Sequence, residues 1–414
     1  MSTLPGANRD TWLAAITDFY LESRDYNGLA VHDGFTADQT TALVELVEDG
    51  LVEVRTTETS VNPHVRREPG TVSREQQVQL LRAGDCERYV LYPTPAALEG
   101  DARVTRLATR PYEQRLAGGA AVLDIVYFDL AVLENYRNDP RYYFTYWDFG
   151  VFFSISDDAY MDPEEAERDK VSAAHVGFAY SEEAMRGGPI RRYLAVFVKD
   201  LAAMTPEHQQ RWSTYEADRD GIEPHPQWIR PQLFGEFPEG PGTFSMCLTE
   251  MQHINQLSEM LWGEAMFETA DRPREWGWMI RGSSGAYKSF AHLTDKLLAE
   301  NLRSAGLDAA GAPTEKDGNR LGTLKRLEGL LVQLGVSEDS AYQAMGAWHE
   351  INNTRHQQAH VLEDNAVDQD LLGRQVEIMD RLARSLAGIR MVLAKHPAAE
   401  GWEPDYPDSG YFML

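Results

Sequence analysis

The stretch HEINNTRHQQAHV, His349 to Val361, puts one arginine and three histidines within a few helical turns, where a long apolar-striped segment runs out. Arg355 and His360 lie five apart, with His356 between them. A guanidinium and an imidazole at a helix end suit phosphodiester cleavage in RNA. The imidazole can take the proton of the 2′-hydroxyl or give one to the leaving 5′-oxygen, a task worth about 10² to 10⁴ in rate. The guanidinium can hold charge on the phosphorane oxygens. It cannot lose its own charge, so it must pair or face an interface. Trp348, Ile351 and Arg355 fall on one helical stripe. The first two read as core, which draws Arg355 toward a bundle or a partner packed on it. Cations at a helix C-terminus also complement its dipole, with no chemistry implied.

Other groups of chemically active residues compete with this one. His356 and His360 have the i, i+4 spacing of a helical zinc pair. A zincin needs Glu where Gln357 stands, and apart from nearby Glu363 and Asp364 no third-ligand cluster follows. No metal and no cofactor is therefore expected. GSSGAYKS, Gly282 to Ser289, has Tyr287 where a phosphate loop needs the glycine before its lysine, and reads as the start of a helix. His208 and Trp212 in TPEHQQRW share a helix face and read as packing. DPEEAERDK reads as solvated surface. The Met and aromatic residues of MQHINQLSEMLWGEAMF read as core.

The elements that would position Arg355 and His360 come from the tail. SGAYKSFAHLTDKLLAENLRSAGL is a helix with Phe290, Leu293, Leu297, Leu298 and Leu302 on one stripe. AAGAPTEKDGN is a loop. RLGTLKRLEGLLVQLG is a second helix, with Leu321, Leu324, Leu327, Leu331 and Leu334 along a face. SEDSAYQAMGAWHEINNTRHQQAHVL is a third, opened by Ser337. DQDLLGRQVEIMDRLARSLAGIRMVLAKH is a fourth, ending in Lys395 and His396. Four amphipathic helices with short connections make an up-and-down bundle.

On these residues the tail resembles a HEPN domain, a four-helix bundle whose ribonuclease members carry arginine, four to six residues, then histidine. Here the run is Arg355, HQQA, His360. The family prefers Asn, Asp or His directly after the arginine, and His356 fits. RHQQAH is similar to the RQKPAH-like variants of bacterial defence and toxin proteins, and departs from them at Gln358, where those often carry proline. The resemblance covers about 115 residues, from near Ser283 to His396. It implies a homodimer packed through these helices, with both Arg–His pairs lining one cleft at the two-fold axis and RNA cut there without metal. Arg355 and His360 would be catalytic, while His356 and Asn352 would bind substrate.

Ahead of the tail, TWLAAITDFYLES has helical spacing. TADQTTALVELVEDGLVEVRT offers a helix capped by Thr36 and closed near Gly50, then a strand. CERYVLYPTP offers a second strand, and Thr57 to Gln77 between them is a polar loop. Helix, helix, Gly, two strands is the rhythm of a winged helix. Its candidate recognition helix, Ala37 to Asp49, carries Asp38, Glu45, Glu48 and Asp49 and no Lys or Arg. That favours a structural or protein-contact module over a DNA reader. In the middle, AAVLDIVYFDLAVL and RYYFTYWDFGVFFSISDD are rich in β-branched and aromatic residues, as strands are. RRYLAVFVKDLAAM fits strand or helix. Thr205, Pro206 and Glu207 start a helix. GIEPHPQWIRPQLFGEFPEGPG is irregular, and TFSMCLTEMQHINQLSEMLWGEAMF is a helix.

The whole chain has 414 residues, 43% hydrophobic and 25% charged, as soluble globular proteins do. No run of about 18 apolar residues is present, the start MSTLPGANRD lacks a basic-then-apolar leader, and the two cysteines, Cys86 and Cys247, make no disulfide framework. A cytoplasmic protein with no membrane contact is expected. The net charge of −26 opposes broad duplex binding. From Ile280 to His396, however, 14 Lys+Arg face 15 Asp+Glu, so the tail is nearly neutral and can approach nucleic acid.

The expected architecture is α+β and multidomain. Residues 1–105 form a winged-helix-like module with its wing and loop, and 106–279 an α+β middle domain. Residues 280–398 form the HEPN-like all-α four-helix bundle, and 399–414 a Pro-rich extension. The expected function is a metal-independent, homodimeric endoribonuclease in a phage-defence or toxin–antitoxin setting, with RNA as substrate and a regulatory protein as a further partner. The alternative is a non-catalytic HEPN-like dimerisation or binding scaffold with a regulatory winged-helix module.

Overall fold

The computed structural model describes residues 6, 8–23, 26–31, 34–56, 72–84, 89–156, 159, 163–185, 188–237, 240–358 and 364–404. It is a mixed α/β protein with a C-terminal helical region. Among the described residues no helix is long and apolar enough to cross a membrane.

The N-terminal part opens with α1 (Arg9–Glu22), β1 (Leu29–Ala30), α2 (Ala37–Glu48) and β2 (Val52–Thr56). Thr36 and Gln39 form a reciprocal capping box at the start of α2, and Gly50 turns the chain with φ 72°. A third helix, α3 (Arg74–Ala83), then precedes β3 (Tyr89–Pro93). The polar loop expected from Thr57 to Gln77 is corrected here: its last residues belong to α3, and Ser73 and Gln76 make a second capping box. Residues 57–71 lie outside the described residues. The sheet order is β1-β3-β2, antiparallel, with Leu29 opposite Leu91 and Val52 opposite Pro93. Trp12, Ile16, Leu43, Leu46, Val54 and Leu91 are among the side chains that fill the core between helices and sheet.

The second sheet runs β4 (Ile125–Asp129), β8 (Arg192–Phe197), β7 (Ser172–Ser181), β6 (Gly150–Ile155) and β5 (Tyr142–Trp147) in that order. β9 (Ile222–Pro224) pairs antiparallel with β7, Ser181 opposite Ile222. RRYLAVFVKDLAAM is both strand and helix: β8 passes directly into the helix Val198–Ala202. GIEPHPQWIRPQLFGEFPEGPG is not irregular throughout. It holds β9 and the helix Pro226–Phe234, which starts on Pro226 and tolerates Pro231 inside.

The chain divides into two compact units. One comprises Met1–Val132, Ser154–His175 and Ala195–Asp220; the other comprises Leu133–Phe153, Val176–Leu194 and Gly221–Leu414.

The second unit holds the helical region: α4 (Thr243–Trp262), α5 (Ser284–Leu298), α6 (Thr323–Gln333), α7 (Gly346–Gln358) and α8 (Asp370–Ala394). α4 packs along α8 and α5 along α7, while α8 also touches α5 and α7. The α4–α8 interface encloses a buried ion pair, Arg390 Nε to Glu250 Oε2 at 2.8 Å. Trp348 of α7, 1% exposed, donates its indole N–H to Ser385 of α8 at 2.8 Å. The single third helix expected from Ser337 onward is two helices. Glu338–Ala344, capped by Ser337, ends before Met345, and α7 restarts at Gly346. The chain turns at Met345, with φ −84° and ψ 1°, directly ahead of a glycine, which is a poor helix former. The first tail helix likewise stops at Leu298, and a separate helix covers Ser304–Ala309. The AAGAPTEKDGN loop contains a small hairpin, β10 (Glu315–Lys316) against β11 (Asn319–Arg320).

Candidate functional site

Arg355 sits one turn from the end of α7, on the side facing α5. Its Nη1 donates to Asp295 Oδ2 of α5 at 2.5 Å and also pairs with Glu300 at 2.5 Å. Asp295 is 1% exposed; its other carboxylate oxygen accepts from Asn352 Nδ2 at 3.0 Å. A buried carboxylate is tolerated only when paired and hydrogen-bonded, and one turn of α7 supplies both partners, because residues 352 and 355 are i and i+3. The hydrogen bond to Asp295 pushes the Arg355 pKa above its ordinary value. The expectation that the guanidinium must pair is met inside the chain. Both interactions use Nη1; among the described residues nothing bonds Nε or Nη2, and the side chain keeps 30% of its exposure.

Of the four residues singled out from the sequence, Arg355 and Asn352 meet on Asp295, while His356 is exposed on the neighbouring face of α7. His360 lies outside the described residues, as do 359–363 altogether. The segment that follows is tied to the start of α5. Ser284 N–H donates to the Ala366 carbonyl at 2.9 Å, Asp368 N–H to the Gly282 carbonyl at 2.8 Å, and Gly285 N–H to Asn365 Oδ1 at 2.8 Å. A Cβ at Gly282 would stand 2.6 Å from the Asp368 carbonyl oxygen, and one at Gly285 2.7 Å from Asn365 Oδ1. The small residues of GSSGAYKS therefore serve close backbone approach at the start of α5, which Ser283 caps.

The far side of α7 carries a second set of charges. Glu350 accepts from Arg374 at 2.9 Å and Arg381 at 2.8 Å, both on α8. Burial alone would raise the Glu350 carboxyl, but the two guanidiniums outweigh it and hold the group below the usual carboxylate range. His349 Nε2 lies 3.0 Å from Glu328 of α6, and Lys325 pairs with the same carboxylate at 2.9 Å. Sequence reasoning missed Asp295, Glu300 and this second set. The available signal for Asp295 was a carboxylate between Ala291, Thr294 and Leu298, a position that an amphipathic helix reserves for apolar side chains.

Among the described residues no three His, Cys, Asp or Glu side chains gather closely enough to hold a metal ion. His208 and Trp212 are buried in packing, the ring of Trp212 edge-on to Phe128 at 4.8 Å. Compared with known proteins, the chain matches no family model, no curated protein and no solved structure.

Proposed function

We propose that the C-terminal helical region is a HEPN-like bundle and that the protein is a metal-independent endoribonuclease, with Arg355 and His360 as its catalytic pair in a homodimer. The observation that carries this reading is the way Arg355 is held. Asp295 and Glu300 fix Nη1 and leave the Nε–Nη2 edge, the side of the fork that matches a phosphate, without a partner among the described residues. Preorganised donors of this kind stabilise charge that develops on phosphorane oxygens. His360, five residues after Arg355 in the sequence, would exchange protons with the 2′-hydroxyl and the 5′-oxygen. The 2′-oxygen attacks phosphorus, the P–O5′ bond breaks, and a 2′,3′-cyclic phosphate and a 5′-hydroxyl result. His356, exposed on the neighbouring face of α7, and Asn352, which aligns Asp295, support substrate. The acidic remainder, including the winged-helix-like N-terminal module, would restrain or sense through a protein partner, in a defence or toxin role.

The test is cleavage of a long single-stranded RNA by wild type, Arg355→Lys and His360→Ala, with sedimentation to establish the dimer. Lysine keeps a charge near Asp295 but loses the planar fork. Both variants are expected to keep their melting temperature and lose cleavage by about a hundredfold or more, and a chelator should leave wild-type cleavage unchanged. If all three chains leave RNA equally intact, the enzyme reading fails.

One observation favours the second reading, a non-catalytic scaffold: the buried Asp295 needs a cation whether or not RNA is ever bound. Under that reading, Arg355 substitutions change stability and nothing else.

A further inference from the structure

The side of α7 turned away from Asp295 opens on a cleft of about 310 Å³ lined by Tyr342, His349, Glu350, Asn353, Thr354 and Arg374. Tyr342 is a large aromatic side chain left 59% exposed. Its ring stacks on His349 with centroids 5.6 Å apart and planes at 27°. The Lys325 ammonium stands 5.3 Å from the Tyr342 ring centre. Arg374, 51% exposed, forms another wall and reaches over the Tyr287 ring at 5.4 Å. Both carboxylates of the cluster are already matched: Glu328 by Lys325 and His349, Glu350 by Arg374 and Arg381. Lys325, Arg374 and Arg381 outnumber these two carboxylates by one, while Glu338 and Asp339 stand one turn before Tyr342 on its own helix.

We infer that this cleft is a single-stranded RNA subsite, in which a base stacks on the open face of Tyr342 while Lys325 and Arg374 take the flanking phosphates. An exposed aromatic ring beside cations is the arrangement that binds single strands without regard to sequence. His349 and Arg355 are six residues apart on α7, about 9 Å along its axis, and face opposite sides of it, so the subsite is separate from the Arg355 site. The inference rests on RNA being the substrate, yet it uses none of the catalytic residues and can fail separately.

The experiment measures binding of a fluorescein-labelled octauridylate to the full chain by anisotropy, with His360→Ala present to suppress cleavage. Adding Tyr342→Ala is expected to weaken binding by at least about fivefold, while Tyr342→Phe, which keeps the ring, binds as before. Lys325→Ala is expected to flatten the dependence of log Kd on log salt by about 0.7. Tyr342 is largely exposed, so the alanine chain should fold; a melting curve checks it. Tyr342→Ala binding as tightly as its parent overturns the subsite. If wild type still cuts RNA in that case, the catalytic reading stands without it. Binding that is lost with Tyr342, in a protein whose wild type never cuts, keeps the subsite and removes the nuclease. No octauridylate binding by any chain overturns the subsite as well, and cleavage of longer RNA then decides the nuclease on its own.

Discussion

At the scale of one residue, Arg355 carries two obligations. It neutralises Asp295, a carboxylate with 1% exposure, and it presents an edge at the end of α7 that has no partner among the described residues. The first obligation predicts a stability effect that must be separated from catalysis. Removing one partner of a fully buried pair costs about 3–5 kcal/mol. Arg355 keeps 30% exposure, so water shares the load and Arg355→Ala should cost about 1–3 kcal/mol in urea unfolding. Asp295→Asn in the same chain removes the stranded charge and should restore part of that loss. Strictly additive effects of the two substitutions would mean that the pair is not coupled, and the positioning argument for Arg355 would go with it. Arg355→Lys keeps a cation beside Asp295, so its comparison with His360→Ala is a cleaner probe of chemistry than the alanine variant.

Among elements, the pairing of α4 with α8 decides whether the helical region stays together. Its buried pair, Arg390 with Glu250, has both side chains almost fully covered. Arg390→Ala should cost about 3–5 kcal/mol, whereas Arg390→Met with Glu250→Leu should be close to neutral, because the desolvation of two charges offsets most of their attraction. A double variant as unstable as the single one would show that the pair does more than fill space. α4 is legible in the sequence as a helix, but its partner is not. Periodicity reports which face is apolar, not which other face covers it. Sequence order alone therefore assigns helix 243–262 to the middle domain, although it packs along α8. Capped starts are legible for physical reasons: Thr36, Thr205 and Ser337 all cap through side-chain oxygens. The break at Gly346 and the helix at Pro226 are hidden by the opposite effect. A lone glycine inside an apolar stripe looks tolerable, and a proline-rich run looks irregular, until tertiary packing decides. The Arg355–Asn352 face is readable from i, i+3 spacing; its partner Asp295, 57 residues from Asn352 along the chain, is not, because long-range pairing leaves no local pattern.

For the whole molecule, the net charge of −26 and an isoelectric point near 4.8 mean that acidification from neutrality relieves self-repulsion and by itself favours the compact state. His208 works the other way. It is 1% exposed, and its Nε2–H donates to the Asp169 carbonyl at 2.9 Å, which requires a proton on that nitrogen. Burial pulls its pKa below the ordinary 6.5. The unfolded chain therefore binds a proton here that the folded chain refuses. Stability falls as pH drops through 6.5 and levels off only below the lowered folded value. The slope from this one proton is at most about 1.4 kcal/mol per pH unit. In about 0.5 M salt the self-repulsion is screened, which leaves the histidine contribution exposed to measurement. Urea unfolding at pH 7.5 and pH 5.5 should then show wild type losing more stability on acidification than His208→Gln, whose amide keeps a donor for Asp169 and does not titrate. Equal losses in the two chains would mean that the imidazole gains its proton without leaving the fold, and that burial at His208 carries no pH dependence.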